Sequence, residues 1–259
     1  MKNTLFRYLW ITLLLTGLAG CASSPDADDP TTQYTVEELY EEAKEALNKS
    51  NYETAIQLYE KLESRFPYGP YAERAQLEII YAYYKDMEPD TAILAADRFI
   101  KLHPNHALVD YAYYLRGLAA FDLSKSFFEK VFDQEKSERD PKMARQAFDY
   151  FAQLVERFPT SKYTEDSANR MKQLRDNLAH YEIHVAQYYL RRGAYLAAAN
   201  RGKYVVENYQ GTPAVADALA LMIRAYRKLD MADLAADTFR VLELNHPNHP
   251  ETLKLKQGS

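Results

Sequence analysis

From Tyr34 onward, apolar residues return every three to four positions, and no stretch alternates β-branched and polar residues as a half-buried strand would. The first such run follows Thr35-Val36-Glu37-Glu38, where a hydroxyl and a carboxylate three residues on fit a capping box. Leu39, Tyr40, Ala43, Ala46 and Leu47 then fall on one helical face. A second pattern recurs further along. Ala55, Tyr59, Leu62 and Phe66-Pro67 match Ala92, Ala96, Phe99 and His103-Pro104 at the same offsets, and again Ala147, Phe151, Leu154 and Phe158-Pro159. Ala235, Phe239, Leu242 and His246-Pro247 form a last copy, and Ala198, Gly202, Val205 and Tyr209 form one in which Gln210 stands in the proline slot. The slots are 37, 55, 51 and 37 residues apart, so the middle intervals carry insertions.

The chemistry of the template is direct. A small residue lets two helices approach, a bulky one fills the groove, and proline stops the second helix. Tyr83, Tyr189 and Tyr226 each fall nine residues before the small alanine of the next helix. In these respects the repeat resembles the tetratricopeptide repeat, which implies an all-α solenoid of five helical hairpins with a concave face for partners. Arg191-Arg192-Gly193-Ala194-Tyr195 supplies one short turn. The missing proline at Gln210 puts the geometry after that helix in doubt. Residues 124–141 read as an insertion, with Phe127, Phe128 and Phe132 extending the core, a charged solvated loop from Glu135 to Arg139, and Asp140-Pro141 starting the next helix.

The amino terminus follows different rules. Lys2 and Arg7 precede a short apolar run, Leu9 to Leu18, too short to span a bilayer, and the run ends at Leu18-Ala19-Gly20-Cys21. This segment resembles a lipoprotein signal, which implies cleavage before Cys21, the only cysteine, and acylation of that residue. Ala22 follows rather than an inner-membrane retention aspartate, which implies the outer membrane. Residues 1–20 are therefore expected to be removed, 21–33 to form a lipidated, flexible tether, 34–123 and 142–259 to form amino- and carboxy-terminal repeats, and 124–141 to link them.

Composition narrows the function. Loss of Lys2 and Arg7 moves the net charge from −5 to −7, with 30 basic and 37 acidic residues and no basic run, so nucleic acid is not a partner. With 47% apolar residues the chain buries a core without disulfides. It holds no glycine-rich phosphate loop, no nucleophile elbow and no cysteine nucleophile beyond the lipidated one, so it reads as a non-enzyme without a cofactor other than the lipid on Cys21. His180 and His184 with Glu182 could bring two ligands to one helical face, but the order is not His-Glu-x-x-His and no third ligand is evident.

Several motifs together narrow the family. Phe66-Pro67-Tyr68-Gly69-Pro70-Tyr71, Ile80-Tyr81-Ala82-Tyr83-Tyr84-Lys85, Asp97-Arg98-Phe99-Ile100, Asp110-Tyr111, Arg116-Gly117, Arg139-Asp140-Pro141, Ser161-Lys162-Tyr163, Arg192-Gly193-Ala194 and Asn200-Arg201 resemble the BamD-like lipoproteins of the outer-membrane β-barrel assembly (BAM) machinery. The resemblance implies a non-catalytic scaffold at the periplasmic face of the outer membrane. Its implied partners are the periplasmic domains of BamA, other BAM lipoproteins and unfolded β-barrel proteins. By the same resemblance Arg192 and Arg201 face BamA, where a guanidinium can hold a carboxylate bidentately. Tyr68, Tyr71, Tyr81, Tyr84 and Arg98 are the candidates for a groove that takes a substrate strand, rings for its aromatic side chains and a cation for its terminal carboxylate. Each of these tyrosines also fits an ordinary packing position. Two other readings stay open from the repeats alone: an adaptor for peptidoglycan enzymes or proteases, and a zinc hydrolase at His180 and His184.

Overall fold

The computed structural model describes residues 30–133 and 141–257; among these are eleven α-helices and no strand. In order they are α1 (Val36–Asn48), α2 (Tyr52–Arg65), α3 (Pro70–Lys85), α4 (Pro89–Leu102), α5 (Val109–Asp133), α6 (Lys142–Arg157), α7 (Thr164–Arg191), α8 (Tyr195–Asn208), α9 (Ala214–Lys228), α10 (Ala232–Asn245) and α11 (Pro250–Gln257). Each helix packs on the next, giving five hairpins, α1/α2 to α9/α10, and a terminal helix. The first helices, α1, α3, α5, α7 and α9, also touch one another in succession, so they form the tighter, inner side of the stack.

The repeat template is the core. Ala55, Tyr59, Leu62, Ala92, Ala96, Phe99, Ala147, Phe151, Leu154, Ala198 and Val205 are all essentially inaccessible to solvent. Gly202 explains its own smallness, because a Cβ there would lie 2.7 Å from Met222 Cγ and 3.1 Å from the Ala218 carbonyl on α9. Gly117 on α5 likewise makes room for the Phe151 ring.

The helix ends repeat as faithfully. Phe66, His103, Phe158 and His246 share one C-cap conformation, φ between −127° and −136°, and each donates its N–H to the carbonyl four residues back. Proline at the next position imposes this by excluding the α region from the residue before it. Tyr209 adopts nearly the same cap, φ −120° and ψ 38°, without a proline. There Gly211, at φ +80°, turns the chain, and the Thr212 hydroxyl donates to the Tyr209 carbonyl at 2.8 Å. The geometry after Gln210 is therefore the ordinary one, reached by different residues.

The turns inside the hairpins also obey one rule. Ser50, Met87, Gly193 and Asp230 each stand five residues before the small alanine of the second helix and have positive φ. The next residue's N–H closes back on the first helix, Asn51 to Ala46, Glu88 to Tyr83, Ala194 to Tyr189 and Met231 to Tyr226. This is the left-handed helix stop that glycine usually makes, filled here by glycine once in four.

Three expectations change. The capping box at Thr35 and Glu38 is present, but a 3₁₀ turn over Pro30–Gln33 falls inside the stretch expected to be tether. This turn is pinned by Arg65, which donates to the carbonyls of Thr31, Thr32 and Tyr34. The segment expected as an insertion is helical up to Asp133, as the end of α5, with Phe128 buried and the Phe127 ring 6.1 Å from that of Tyr181. Helix α6 starts at Lys142 with Pro141 as its cap, one residue later than read. Cys21 with its signal, the Phe132 side chain, the charged stretch Glu135 to Arg139 and Asp140 lie outside the described residues.

Candidate functional site

On the inner side, tyrosine hydroxyls of one hairpin donate to carboxylates of the next. Tyr40 reaches Glu78 Oε1 at 3.4 Å, Tyr84 reaches Asp122 Oδ2 at 2.9 Å, and Tyr114 reaches Asp166 Oδ2 at 2.8 Å. These partners are 38, 38 and 52 residues apart, close to the repeat spacing itself. Two of these carboxylates also meet a cation: Lys44 pairs with Glu78, and Arg170 Nε lies 2.6 Å from Asp166. Beside them the rings of Tyr114 and Tyr163 stack at 4.5 Å, and Tyr111 stacks on the same Tyr163 ring at 5.4 Å. Burial, then the Asp122 hydrogen bond, pushes the Tyr84 hydroxyl up to about 12. The tyrosines therefore stay neutral donors and fix the rotation of each hairpin on the next.

The five amino-terminal candidates do not share one groove. Tyr68 is 90% exposed in the turn before α3, where Gly69 at φ +99° and Pro70 at the first helical position set the bend. Tyr71 packs on the Tyr40 ring at 5.4 Å and donates to Glu37 Oε1 at 3.1 Å. Tyr81 lines an inner-face cavity of about 300 Å³ with Lys44, Leu77, Glu78 and Tyr111. Tyr84 faces α5 through Asp122. Arg98 is elsewhere: it pairs with Glu63 and lines a separate groove of about 510 Å³ between α2 and α4. The expected set splits because Tyr81 and Tyr84 leave α3 toward α1 and α5, whereas Arg98 stands on a second helix, on the outer side of the stack.

The carboxy-terminal pair also separates. Arg192 follows α7 as its C-cap, exposed, with its guanidinium 5.5 Å from the centre of the Tyr188 ring. Arg201 Nη1 donates at 2.7 Å to Oε2 of Glu182, whose side chain is only 2% exposed, and Arg145 stands 4.0 Å from the other oxygen. Partial burial works against the Arg201 charge, but the Glu182 carboxylate, then Tyr189, holds the guanidinium above its ordinary value. Arg201 thus serves first an internal carboxylate. Glu182 was not among the expected site residues, although it falls in phase with Leu178, Val185 and Ala186 on the buried face of α7.

His180 and His184 line a cavity of about 400 Å³ with Ile183, Gln187 and Asp217, while Glu182 between them turns into the core toward Arg201. No group of three or more metal-ligating side chains is assembled among the described residues.

Stacked hairpins with a polar, tyrosine-rich inner face and open, charged grooves define a helical-repeat scaffold. The chain belongs to the YfiO family of outer membrane lipoproteins, whose pattern matches residues 32–242. It is 51% identical over 236 residues to the outer membrane protein assembly factor BamD of Neisseria gonorrhoeae, covering 90% of this chain and 88% of that protein. The same factor of Neisseria meningitidis serogroup B is also 51% identical over 236 residues, again 90% and 88% of the two chains. That of Vibrio cholerae is 38% identical over 235 residues, 90% of this chain and 95% of the other. The family is one of assembly factors, and the chain is not an enzyme. No helix among the described residues is long and apolar enough to cross a membrane.

Proposed function

We propose that the chain is the lipid-anchored scaffold of the outer-membrane β-barrel assembly complex, held at the periplasmic face by acyl chains on Cys21. Its carboxy-terminal hairpins bind the periplasmic domains of BamA and other lipoproteins of the complex, and its amino-terminal hairpins handle unfolded β-barrel proteins. The observation that carries this reading is the family match along residues 32–242. For the substrate strand, the exposed Tyr68 and the inner-face cavity at Tyr81 offer rings within the first two hairpins, the cavity's Lys44 being paired with Glu78. Tyr71 and Tyr84 contribute chiefly by holding the hairpins in place, and Arg98 lies outside this surface.

For BamA, Arg192 is the better probe of the two arginines, because it is exposed and no ion pair among the described residues engages it. Arg192→Glu should lower BamA co-purification by about tenfold or more through like-charge repulsion, with helical circular dichroism unchanged. Co-purification at the wild-type level would remove Arg192 from that interface.

A further inference from the structure

Between α6, α7 and α8 lies an open groove of about 310 Å³ that none of these roles uses. Arg145 of α6 and Arg175 of α7 bring two guanidiniums to it, Phe148 and Tyr204 supply aromatic walls, and Asn208 adds an amide. Tyr204 is 41% exposed, with its ring held edge-on to Tyr209 at 5.9 Å. Arg175 donates one N–H to the Gln210 carbonyl at 2.7 Å, and a guanidinium has five N–H groups, so that bond does not exhaust it. Arg145 leans on Glu182 at 4.0 Å, a carboxylate already bonded to Arg201. Among the lining residues Asp149 is the single carboxylate. The chain as a whole carries −5, so two cations around an aromatic-walled groove run against its overall charge.

We infer that this groove binds an acidic peptide segment of a protein partner. A carboxylate side chain of the segment sits between Arg145 and Arg175, and an adjacent aromatic or large apolar side chain lies against Phe148 and Tyr204. Two planar guanidiniums favour a carboxylate over any neutral group, and the rings favour a neighbour that buries apolar area. The groove is open to solvent, which suits a segment passing through it better than a chain end that must be enclosed. The inference deepens the reading that the carboxy-terminal hairpins meet a partner, and rests on that reading only for which partner it is.

The test uses the full mature chain and a fluorescein-labelled, acetylated and amidated peptide alternating glutamate and phenylalanine, followed by anisotropy and corrected for detergent alone. Saturable binding is expected, weakened about tenfold by Arg175→Gln and by Tyr204→Ser. Both side chains reach the surface, so circular dichroism can verify that the variants keep their fold. A peptide with lysine in place of glutamate should bind at least tenfold less tightly. Equal affinity for the lysine peptide, wild-type affinity in both variants, no saturable binding, or binding only of a peptide that lacks charged side chains but ends in phenylalanine with a free carboxylate would each overturn the inference. BamA co-purification without peptide binding sinks the groove and leaves the scaffold reading standing. Peptide binding without co-purification supports the groove and sinks that reading.

Discussion

At the scale of single residues, the chain spends its charges and hydroxyls on joining hairpins. Glu182 shows the cost of disturbing one. It is buried, with the half-exposed Arg201 and Arg145 as its cations, so Arg201→Glu would leave a second carboxylate beside a buried one at the edge of solvent. With Arg201 partly in solvent and Arg145 still beside Glu182, the loss should be about 1–3 kcal/mol. A urea titration of Arg201→Glu should show that loss, whereas an unchanged midpoint would mean the pair contributes nothing. Weak co-purification by this variant would therefore report folding before it reported an interface. The tyrosines make a second prediction, in pH. Burial first, and then neighbouring groups, raise Tyr40, Tyr84 and Tyr209 from 10 to about 12 in the folded chain. A group whose folded pKa lies above its unfolded one stabilises the fold fully below the unfolded value and loses that contribution as pH rises through the folded value. Stability should thus hold up to about pH 10 and fall between pH 10 and 12 as tyrosinate absorbance grows. Stability that declines in step with pH below 9 would contradict this.

At the scale of elements, what could be read in the sequence was whatever the repeat writes locally. The small alanines, the Leu or Val slot, the residue before proline, the capping box at Thr35 and the glycine turn at Gly193 all act within one or two helical turns, and they land where their spacing puts them. What could not be read depends on residues one repeat away. Glu78, Asp122 and Asp166 are unremarkable as letters and become tyrosine partners only when hairpins stack. The grouping of Arg98 with Tyr81 and Tyr84 failed for the same reason, since sequence proximity does not tell the inner from the outer side of a stack. Left-handed turns were half legible: Gly193 announces one, while Ser50, Met87 and Asp230 take the same conformation without glycine. Among the described residues Met87 is the most exposed large apolar side chain after Tyr68, and it sits at φ 63°. Met87→Gly should remove that backbone strain and stabilise the chain by about 0.5–1 kcal/mol. A lower thermal midpoint for the glycine variant would show that the Met87 side chain contributes packing that outweighs the strain.

At the scale of the whole molecule, one buried cluster runs from Leu77 to Ala218 and a second closes the first hairpin and α3. Tyr81 and Tyr83 pack against both clusters, so the amino-terminal hairpin is held to the rest through the same helix that carries the candidate substrate surface. Arg192, proposed above to meet a partner, and the α6 to α8 groove lie in the other half, so the two proposed surfaces sit on different hairpins of the stack. The repeats alone would also suit an adaptor for envelope hydrolases. Affinity purification of the acylated chain from detergent-solubilised membranes, with identification of what elutes, separates the two most directly. The expected result is recovery of the barrel-forming subunit BamA in stoichiometric amount, together with unfolded β-barrel proteins. Recovery of soluble peptidoglycan hydrolases or proteases, with BamA absent, would contradict it.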